Sequence, residues 1–115
     1  MSHFITHPIP CSFGYSVFVM EDNGKAFGRV TMYDDPSRCW ISDISVEAAR
    51  RRQGLGSELL LFCESVCWKL GCCDVFLAVE RESWMYDWYR RRGYRDCVDD
   101  VTDTDVVRLR KSLKI

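Results

Sequence analysis

The spacing of apolar and polar residues changes about halfway along the chain. In the first half, short runs rich in β-branched and aromatic residues alternate with turn-forming residues, a pattern typical of antiparallel strands. These runs predict three strands, over about 15–20, 25–33 and 38–46. Asn23-Gly24 separates the first two, and this dipeptide strongly favours a hairpin. We therefore predict an antiparallel meander, preceded by an extended or irregular segment over residues 1–14.

In the second half, apolar residues recur at helical intervals. They predict a helix over about 54–70, because the following side chains would share one of its faces: Leu55, Leu59, Cys63, Val66, Cys67 and Leu70. Gly71 follows the predicted helix directly, at the position where a left-handed C-terminal cap is expected. A second helix is predicted over 83–92, with Ser83 as its N-terminal cap and Gly93 after its end.

The remaining elements define the fold class. Strands are predicted over about 74–80, 94–98 and 106–113. A succession of strand, helix and strand requires a crossover connection, so the sheet includes a parallel pair. The predicted fold class is therefore α/β (α+β), a mixed, mostly antiparallel central sheet with flanking helices, in a single domain over residues 1–115.

Charge and hydropathy exclude several classes of protein. Sixteen basic and seventeen acidic residues give a net charge of -1, which argues against a nucleic-acid-coating role although arginines cluster at 50–52 and 90–92. No apolar run reaches the ~20 residues that a membrane-spanning helix needs. The first ten residues lack the charged and apolar regions of a signal peptide, so a cytoplasmic location is expected.

Seven cysteines are many for this length. Their odd number, the lack of a secretory signal and the absence of a Cys-x-x-Cys pair predict reduced thiols rather than a disulfide framework. Cys63 and Cys67 share the apolar helix face and are predicted to be buried. Cys72 and Cys73 complete a conceivable zinc set with them, but the usual zinc spacings are missing, so no metal is expected. The aspartates of 96–105 likewise lack the pattern of a calcium loop.

The candidate chemistry lies where the third strand leads into the first helix, at Arg51-Arg52-Gln53-Gly54-Leu55-Gly56. Glycines allow close approach of the backbone to a ligand, and the first turn of a helix presents free N–H groups and the positive end of its dipole. Two arginines add charge, so the segment suits a diphosphate. The alternative is a basic turn that starts an ordinary helix, and the loop alone does not decide between the two.

The signature segment and four others around it make the chain resemble the GNAT family of N-acetyltransferases. The Arg51-x-x-Gly54-x-Gly56 segment is similar to the family's acetyl-CoA signature. Ile44-Ser45-Val46 and Leu77-Ala78-Val79 resemble the ends of its fourth and fifth strands, and 88–94 and 107–111 resemble its last helix and final strand. The resemblance extends from about Tyr15 to Leu113. It implies acetyl-CoA as co-substrate and direct transfer of the acetyl group to a primary amine.

The resemblance also implies roles for individual residues. The backbone of Ile44, Ser45 and Val46 would pair with the pantetheine arm between two splayed strands, and an N–H near Val46 would hold the oxyanion. The diphosphate would bind at Arg51, Arg52, Gln53, Gly54, Leu55, Gly56 and Ser57. Tyr89 matches a tyrosine that protonates the departing thiolate, with packing as the alternative. The position of an asparagine that often bonds the cofactor falls at Glu82 or Ser83.

Two departures from the family pattern leave alternatives open. Most of the N-terminal strand-helix-helix segment is missing, so the acceptor side is either open to a bulky amine, such as a protein lysine, or completed by a second subunit of a homodimer. Trp40 falls at a position where the family often has a glutamate. The first candidate for the general base is therefore Asp43, and the second is Glu80. The alternative function is a catalytically weak or inactive acyl-CoA-binding or protein-interaction module. Neither nucleic acid nor a membrane is expected as a partner.

Overall fold

The computed structural model describes residues 3–9, 14–32, 38–47, 54–97 and 105–113. These residues form one seven-stranded sheet and two helices: β1 (Phe4–Ile9), β2 (Tyr15–Glu21), β3 (Ala26–Met32), β4 (Arg38–Val46), α1 (Leu55–Lys69), β5 (Asp74–Glu80), α2 (Trp84–Arg90), β6 (Arg95–Asp96) and β7 (Val106–Ser112). The strand order is β1-β2-β3-β4-β5-β7-β6. All neighbours are antiparallel except β4 and β5, which confirms the predicted mixed, mostly antiparallel sheet.

The N-terminal segment contributes a strand that the sequence pattern did not distinguish from irregular chain. β1 pairs with β2 along its whole length, from Phe4 opposite Glu21 to Ile9 opposite Ser16. Pro8 lacks the N–H of a ladder donor, but β1 is an edge strand, where proline is tolerated. Only residues 10–14 separate β1 from β2, which is too short for the two helices that the family resemblance would place there.

Both helices lie on one face of the sheet. α1 buries residues at helical spacing, including Leu59, Cys63 and Cys67, against inward-facing residues of the sheet. Gly71 (φ 88) ends this helix as predicted: its N–H bonds to the Trp68 carbonyl and the N–H of Cys72 to that of Cys67. Within the described ranges no helix packs on the opposite face, which carries the aromatic pairs Phe18–Phe27 and Trp40–Phe76.

The sheet opens in its middle, between its two parallel strands. β4 and β5 are paired only from Arg38 opposite Asp74 to Trp40 opposite Phe76. Beyond these residues β4 continues along β3 as far as Val46, and β5 continues along β7 as far as Glu80. The two strands therefore diverge toward their carboxyl ends, which is the splay that the resemblance implies.

A bulge marks the point where β4 leaves β5. Phe27 faces Ser45 while Arg29 faces Ser42, so β4 has one more residue than β3 across this step. Asp43 in the bulge has φ 57, a left-handed conformation that aspartate tolerates better than most residues. Opposite it, a Cβ on Gly28 would lie 2.7 Å from Ile44 Cδ1, so glycine there gives the Ile44 side chain its space.

One cysteine prediction is confirmed and another is wrong. Cys63 and Cys67 are fully buried, as expected. Cys39 and Cys72, however, form a disulfide, with their Cα atoms 6.0 Å apart. Cys72 follows the last turn of α1, and the parallel register that places Cys39 opposite Val75 brings the two cysteines together. Counting cysteines and their spacings does not reveal a contact that depends on the crossover between β4 and β5.

Candidate functional site

The amino terminus of α1 is open, as its glycines led us to expect. Gly54 is the N-cap in a left-handed conformation (φ 80), and the N–H of Glu58 makes a helical bond to its carbonyl at 3.0 Å. The amides of Leu55, Gly56 and Ser57 precede Glu58 and have no acceptor within the helix. Among the described residues, apart from its chain neighbours, no atom lies within 4 Å of a Cβ built on Gly54. Arg51, Arg52 and Gln53 lie outside the described residues.

Gly56 has a different environment from Gly54. A Cβ on Gly56 would lie 3.6 Å from the Trp88 ring and 3.7 Å from Val46 Cγ2, both ordinary contact distances. The first turn of α1 therefore packs directly against α2 and the end of β4. The glycine-rich turn, the last residues of β4 and the second helix meet at the mouth of the splay.

Arg92 brings a guanidinium to this turn. Its Nη2 and Nε donate to Ser57 Oγ at 2.8 and 3.3 Å, and its Nη1 donates to the Trp88 carbonyl at 2.9 Å. The guanidinium carbon lies 3.7 Å from the centre of the Trp88 ring, a cation–π contact. In the sequence, Arg92 belongs to a basic cluster within the segment 88–94, and nothing in the spacing indicates that it reaches a residue 35 positions earlier.

Backbone groups of β4 line the splay. The N–H of Glu47 donates to the carbonyl of Lys25, which directly precedes β3, at 2.7 Å. Because N–H groups alternate from edge to edge along an antiparallel strand, those of Val46 and Ile44 are directed to the edge that faces β5. The residues expected to accompany the pantetheine arm therefore lie on the divergent part of β4, and Ser45 between them is directed toward β3.

Tyr89 is part of the core below this site. Its side chain is only 3% exposed, and its ring makes edge-to-face contacts with Trp88 (5.0 Å) and Tyr94 (5.5 Å). Burial, and to a smaller extent the nearby Cys63 thiol, raises the pKa of Tyr89 to about 12, while Arg92 acts in the opposite direction. At neutral pH the phenol is therefore protonated and is a hydrogen-bond donor.

The two candidate bases lie in different places: Asp43 is on the sheet face where no described helix packs, and Glu80 is at the end of β5. Asp43 is 58% exposed and its carboxylate is 3.7 Å from the Arg29 guanidinium. Glu80 is exposed at the end of β5. Trp40 packs against Phe76, at 5.4 Å between ring centres, so a hydrophobic contact occupies the position where a glutamate was sought.

Glu82 and Ser83 form the turn between β5 and α2. Ser83 Oγ donates to the Glu80 carbonyl at 2.7 Å, so this hydroxyl holds the end of β5. Glu82 is exposed in the turn. The sequence placed a cofactor contact at one of the two, and Ser83 is the one whose side chain is fixed by the sheet.

A buried ionic cluster beneath the site was not predicted. Glu64 on α1 is 7% exposed; it accepts hydrogen bonds from Tyr94 Oη (2.8 Å) and Lys111 Nζ (3.1 Å). Tyr94 also contacts Tyr89, so the cluster continues to the candidate acid. Glutamate on the inner face of an amphipathic helix is an indicator of such a cluster, but its partners are 30 and 47 residues away.

Two further observations concern ligands and membranes. In the part of the chain that the structure describes, no three His, Cys, Asp or Glu side chains are grouped so that they could hold a metal ion. None of the described helices has the length and apolar character needed to cross a bilayer.

Comparisons with known proteins agree with this geometry. A candidate acyl-CoA N-acyltransferase from Klebsiella pneumoniae has a similar structure (TM-score 0.78, 14% identity, 99% of each chain covered). A GNAT family acetyltransferase from Elizabethkingia anophelis with acetyl-CoA bound is also similar (TM-score 0.72, 13% identity, 96% of this chain and 98% of that chain covered). N-acetylglutamate synthase from Neisseria gonorrhoeae, complexed with coenzyme A and N-acetyl-glutamate, is similar over part of its length (TM-score 0.71, 14% identity). The match covers 87% of this chain and 26% of that chain.

At these identities the structural similarities show the fold, and a search of curated proteins finds no significant match. The family follows from the sequence itself. The family description "Acetyltransferase (GNAT) family" matches residues 5–94, well over half of the chain. The protein therefore belongs to the GNAT acetyltransferase family.

Proposed function

We propose that the protein is an acetyl-CoA-dependent N-acetyltransferase that moves the acetyl group from the thioester to a primary amine by direct attack. The observation that carries this proposal is the divergence of β4 and β5 beyond Trp40 and Phe76, directly beside the open first turn of α1. An extended ligand with an amide-containing arm and a diphosphate matches these two features, since one offers strand-edge backbone groups and the other free helical N–H groups.

Acetyl-CoA fits the described residues. The amides of Ile44 and Val46 face the splay and are suited to the pantetheine arm and the thioester oxygen, with Ser45 holding β4 to β3. Gly54, Leu55, Gly56 and Ser57 form the turn for the diphosphate. We include Arg51, Arg52 and Gln53 in this site on the sequence motif alone, and Glu82 and Ser83 at its far side.

Proton transfer is the part of the reaction that side chains supply. An amine with a pKa near ~10.4 is mostly protonated at neutral pH and must lose a proton before it attacks the thioester carbon. We assign this proton to Asp43, directly or through water, because Asp43 lies in the β4 bulge at the opening of the splay. As the new C–N bond forms, the C–S bond breaks and the sulfur leaves as a thiolate.

Tyr89 is the proposed donor to that sulfur. A thiol has a pKa near ~8.5, well below the value of about 12 for Tyr89, so complete proton transfer from the phenol is uphill. Tyr89 therefore acts mainly as a hydrogen-bond donor to the developing thiolate, and solvent completes the protonation. Positioning and oxyanion stabilisation by backbone amides contribute most of the rate enhancement.

The acceptor is proposed to be a bulky amine, such as a lysine side chain or amino terminus of a protein. β1 continues into β2 within residues 10–14, and the described structure has no helix on the sheet face that carries Trp40 and Asp43. An acceptor site that no helix covers leaves more room for a bulky substrate than an enclosed site does. Completion of this face by a second subunit, as in a homodimer, is the competing arrangement, and a cytoplasmic location remains a prediction.

Turnover of acetyl-CoA with a panel of small amines, amino acids and lysine-containing peptides tests the proposal. Release of free CoA that depends on the amine, with N-acetylated product by mass spectrometry, is expected. The competing function is a non-catalytic acyl-CoA-binding module, which the deep burial of Tyr89 and the presence of Trp40 favour. Tight binding of CoA without turnover of any amine would establish that second function.

A further inference from the structure

We propose that Arg92 is a phosphate-binding residue that holds the CoA diphosphate from the α2 side of the site. This inference rests on the proposed use of CoA. The sequence motif assigns the diphosphate to the glycine turn alone, and Arg92 belongs to another helix end, 35 residues further along the chain. Its side chain reaches the same turn.

The guanidinium is fixed in place but only partly used. It has five N–H donors. Three of them bond to Ser57 Oγ (two) and to the Trp88 carbonyl (one). The guanidinium carbon also lies 3.7 Å from the centre of the Trp88 ring. Two N–H donors remain, one on each terminal nitrogen, in a group whose position is already fixed, so an anion would bind with little further loss of side-chain entropy.

The charge of Arg92 is not compensated by a carboxylate in the described structure. The ion pairs among the described residues do not include Arg92, whereas Arg90, two positions earlier, pairs with Asp96 at 3.4 Å. Desolvation and the neighbouring Arg91 both lower the pKa of Arg92, which shows that the charged form is held at some cost. A phosphate oxygen is the kind of partner that would offset this cost, because charge-assisted bonds to guanidinium are strong.

Ser57 completes the arrangement. Its hydroxyl oxygen accepts from Arg92, which leaves its own hydrogen free to be donated. The N–H of Ser57 belongs to the open first turn of α1. A phosphate at this turn would therefore meet donors from the helix, from Ser57 and from Arg92 on converging sides.

Binding of CoA and of pantetheine, which lacks the diphosphate, to the parent protein and to Arg92→Gln tests the inference by calorimetry. Loss of a charge-assisted contact is expected to weaken CoA binding about 10- to 100-fold. Pantetheine binding should not change. Arg91→Gln is the matched control: it removes the same charge one residue earlier, from a side chain that bonds only to the Asp87 carbonyl among the described residues, and should weaken CoA binding less than threefold.

Several outcomes would overturn the inference. They are parental CoA affinity in Arg92→Gln, an equal loss of pantetheine and CoA affinity, or an equal effect of Arg91→Gln. If Arg92→Gln unfolds at a lower temperature, Arg92→Lys decides, since it keeps the charge but not the forked geometry and should show an intermediate CoA affinity. Failure of the parent to bind CoA would overturn the proposed function as well, whereas binding without amine turnover would leave the Arg92 assignment supported.

Discussion

At the residue scale, the two glycines of the signature turn have unlike backbone requirements. Gly54 has φ 80 and nothing near its absent Cβ, whereas Gly56 lies inside α1 with ordinary contacts to Trp88 and Val46 around its Cβ position. A side chain at Gly54 is strained by conformation although there is space for it. A methyl group at Gly56 is compatible with both the helix and its neighbours.

We therefore expect Gly54→Ala and Gly56→Ala to differ in stability. Gly54→Ala should lower the free energy of unfolding by about 1 kcal/mol, because a non-glycine residue adopts the left-handed region at a cost of that order. Gly56→Ala should leave it unchanged or raise it, by up to about 1 kcal/mol, because alanine is a better helix former. Urea denaturation of both variants measures the difference. Equal destabilisation would show that the conformational distinction is wrong.

Tyr89 is a second residue for which the environment decides the chemistry. The raised pKa means that the phenol stays protonated until the pH approaches about 12. The donor form of Tyr89 is therefore constant across the usual assay range. The pH dependence of the reaction should report the loss of a proton from the amine, not from Tyr89.

Tyr89→Phe should reduce kcat about 10²-fold, the lower end of the range for a lost general acid, with little change in CoA affinity. In the parent protein kcat/KM should rise with pH toward the pKa of the amine, ~10.4, with no descending limb below about pH 10. Pre-steady-state and pH-rate measurements on both proteins check this. A descending limb near pH 8 that disappears in Tyr89→Phe would mean that the tyrosine ionises far below the value its burial implies.

At the scale of elements, Glu64 joins three parts of the fold. It lies on α1, Tyr94 directly precedes β6, and Lys111 lies on β7. Burial, followed by the charge of Glu64 and the hydrogen bond to it, raises the pKa of Tyr94. Tyr94 in turn packs against Tyr89. The cluster therefore connects the position of α1, which presents the glycine turn, to the position of α2, which presents Tyr89 and Arg92.

Lys111→Met should destabilise the protein by about 3 kcal/mol, because it leaves the buried Glu64 carboxylate without its cation. The double variant Glu64→Gln, Lys111→Met should recover much of this loss, since no buried charge remains. Arg110→Met, on the outward-facing side of the same strand, is the control and should change the stability by less than about 0.5 kcal/mol. A Lys111→Met effect no larger than that of Arg110→Met would show that the ion pair is dispensable.

At the scale of the whole molecule, one covalent bond encloses the proposed cofactor-binding unit. The Cys39–Cys72 bridge connects the start of β4 to the end of α1, with the glycine turn and the whole helix in the loop between them. Both sulfurs are buried next to the only paired stretch of the two parallel strands described here. The bridge therefore fixes the closed end of the splay while its other end remains open.

Reduction of the parent protein should lower its stability by roughly 3–4 kcal/mol, the loop-entropy value for a bridge of this sequence separation. The double variant Cys39→Ala, Cys72→Ala should be less stable than the oxidised parent and insensitive to reductant. Thiol titration in denaturant should find two more thiols after reduction than before it, since two of the seven cysteines form the bridge. A count of seven without reductant would show that the bridge does not form in solution.

In the folded protein, thiol reagents should not reach Cys63 and Cys67. Both are fully buried, and burial raises the pKa of Cys63 to about 12 and that of Cys67 still further, so thiolate is scarce as well as inaccessible. Cys73 is exposed and should react rapidly. Mass spectrometry after brief alkylation of the native protein identifies the labelled sites.

Features that arise from local chemistry were predictable from the sequence. Periodicity predicted α1 and six of the seven described strands, and glycine marked the hairpin turn at Gly24, the left-handed cap at Gly71 and the helix end at Gly93. The apolar helix face also predicted the burial of Cys63 and Cys67. These features depend on a few consecutive residues or on one helix face, so their causes are present in a short window of sequence.

Features that join distant parts of the chain could not be predicted from the sequence. β1 forms because β2 offers an edge, although Pro8 within it favours irregular structure. The Cys39–Cys72 bridge, the Glu64–Lys111 pair and the approach of Arg92 to Ser57 all require the crossover between β4 and β5 to place residues 30 or more positions apart side by side. Pairing across a sheet and packing of helices on it have no local signal, because each partner is compatible with many others until the fold selects one.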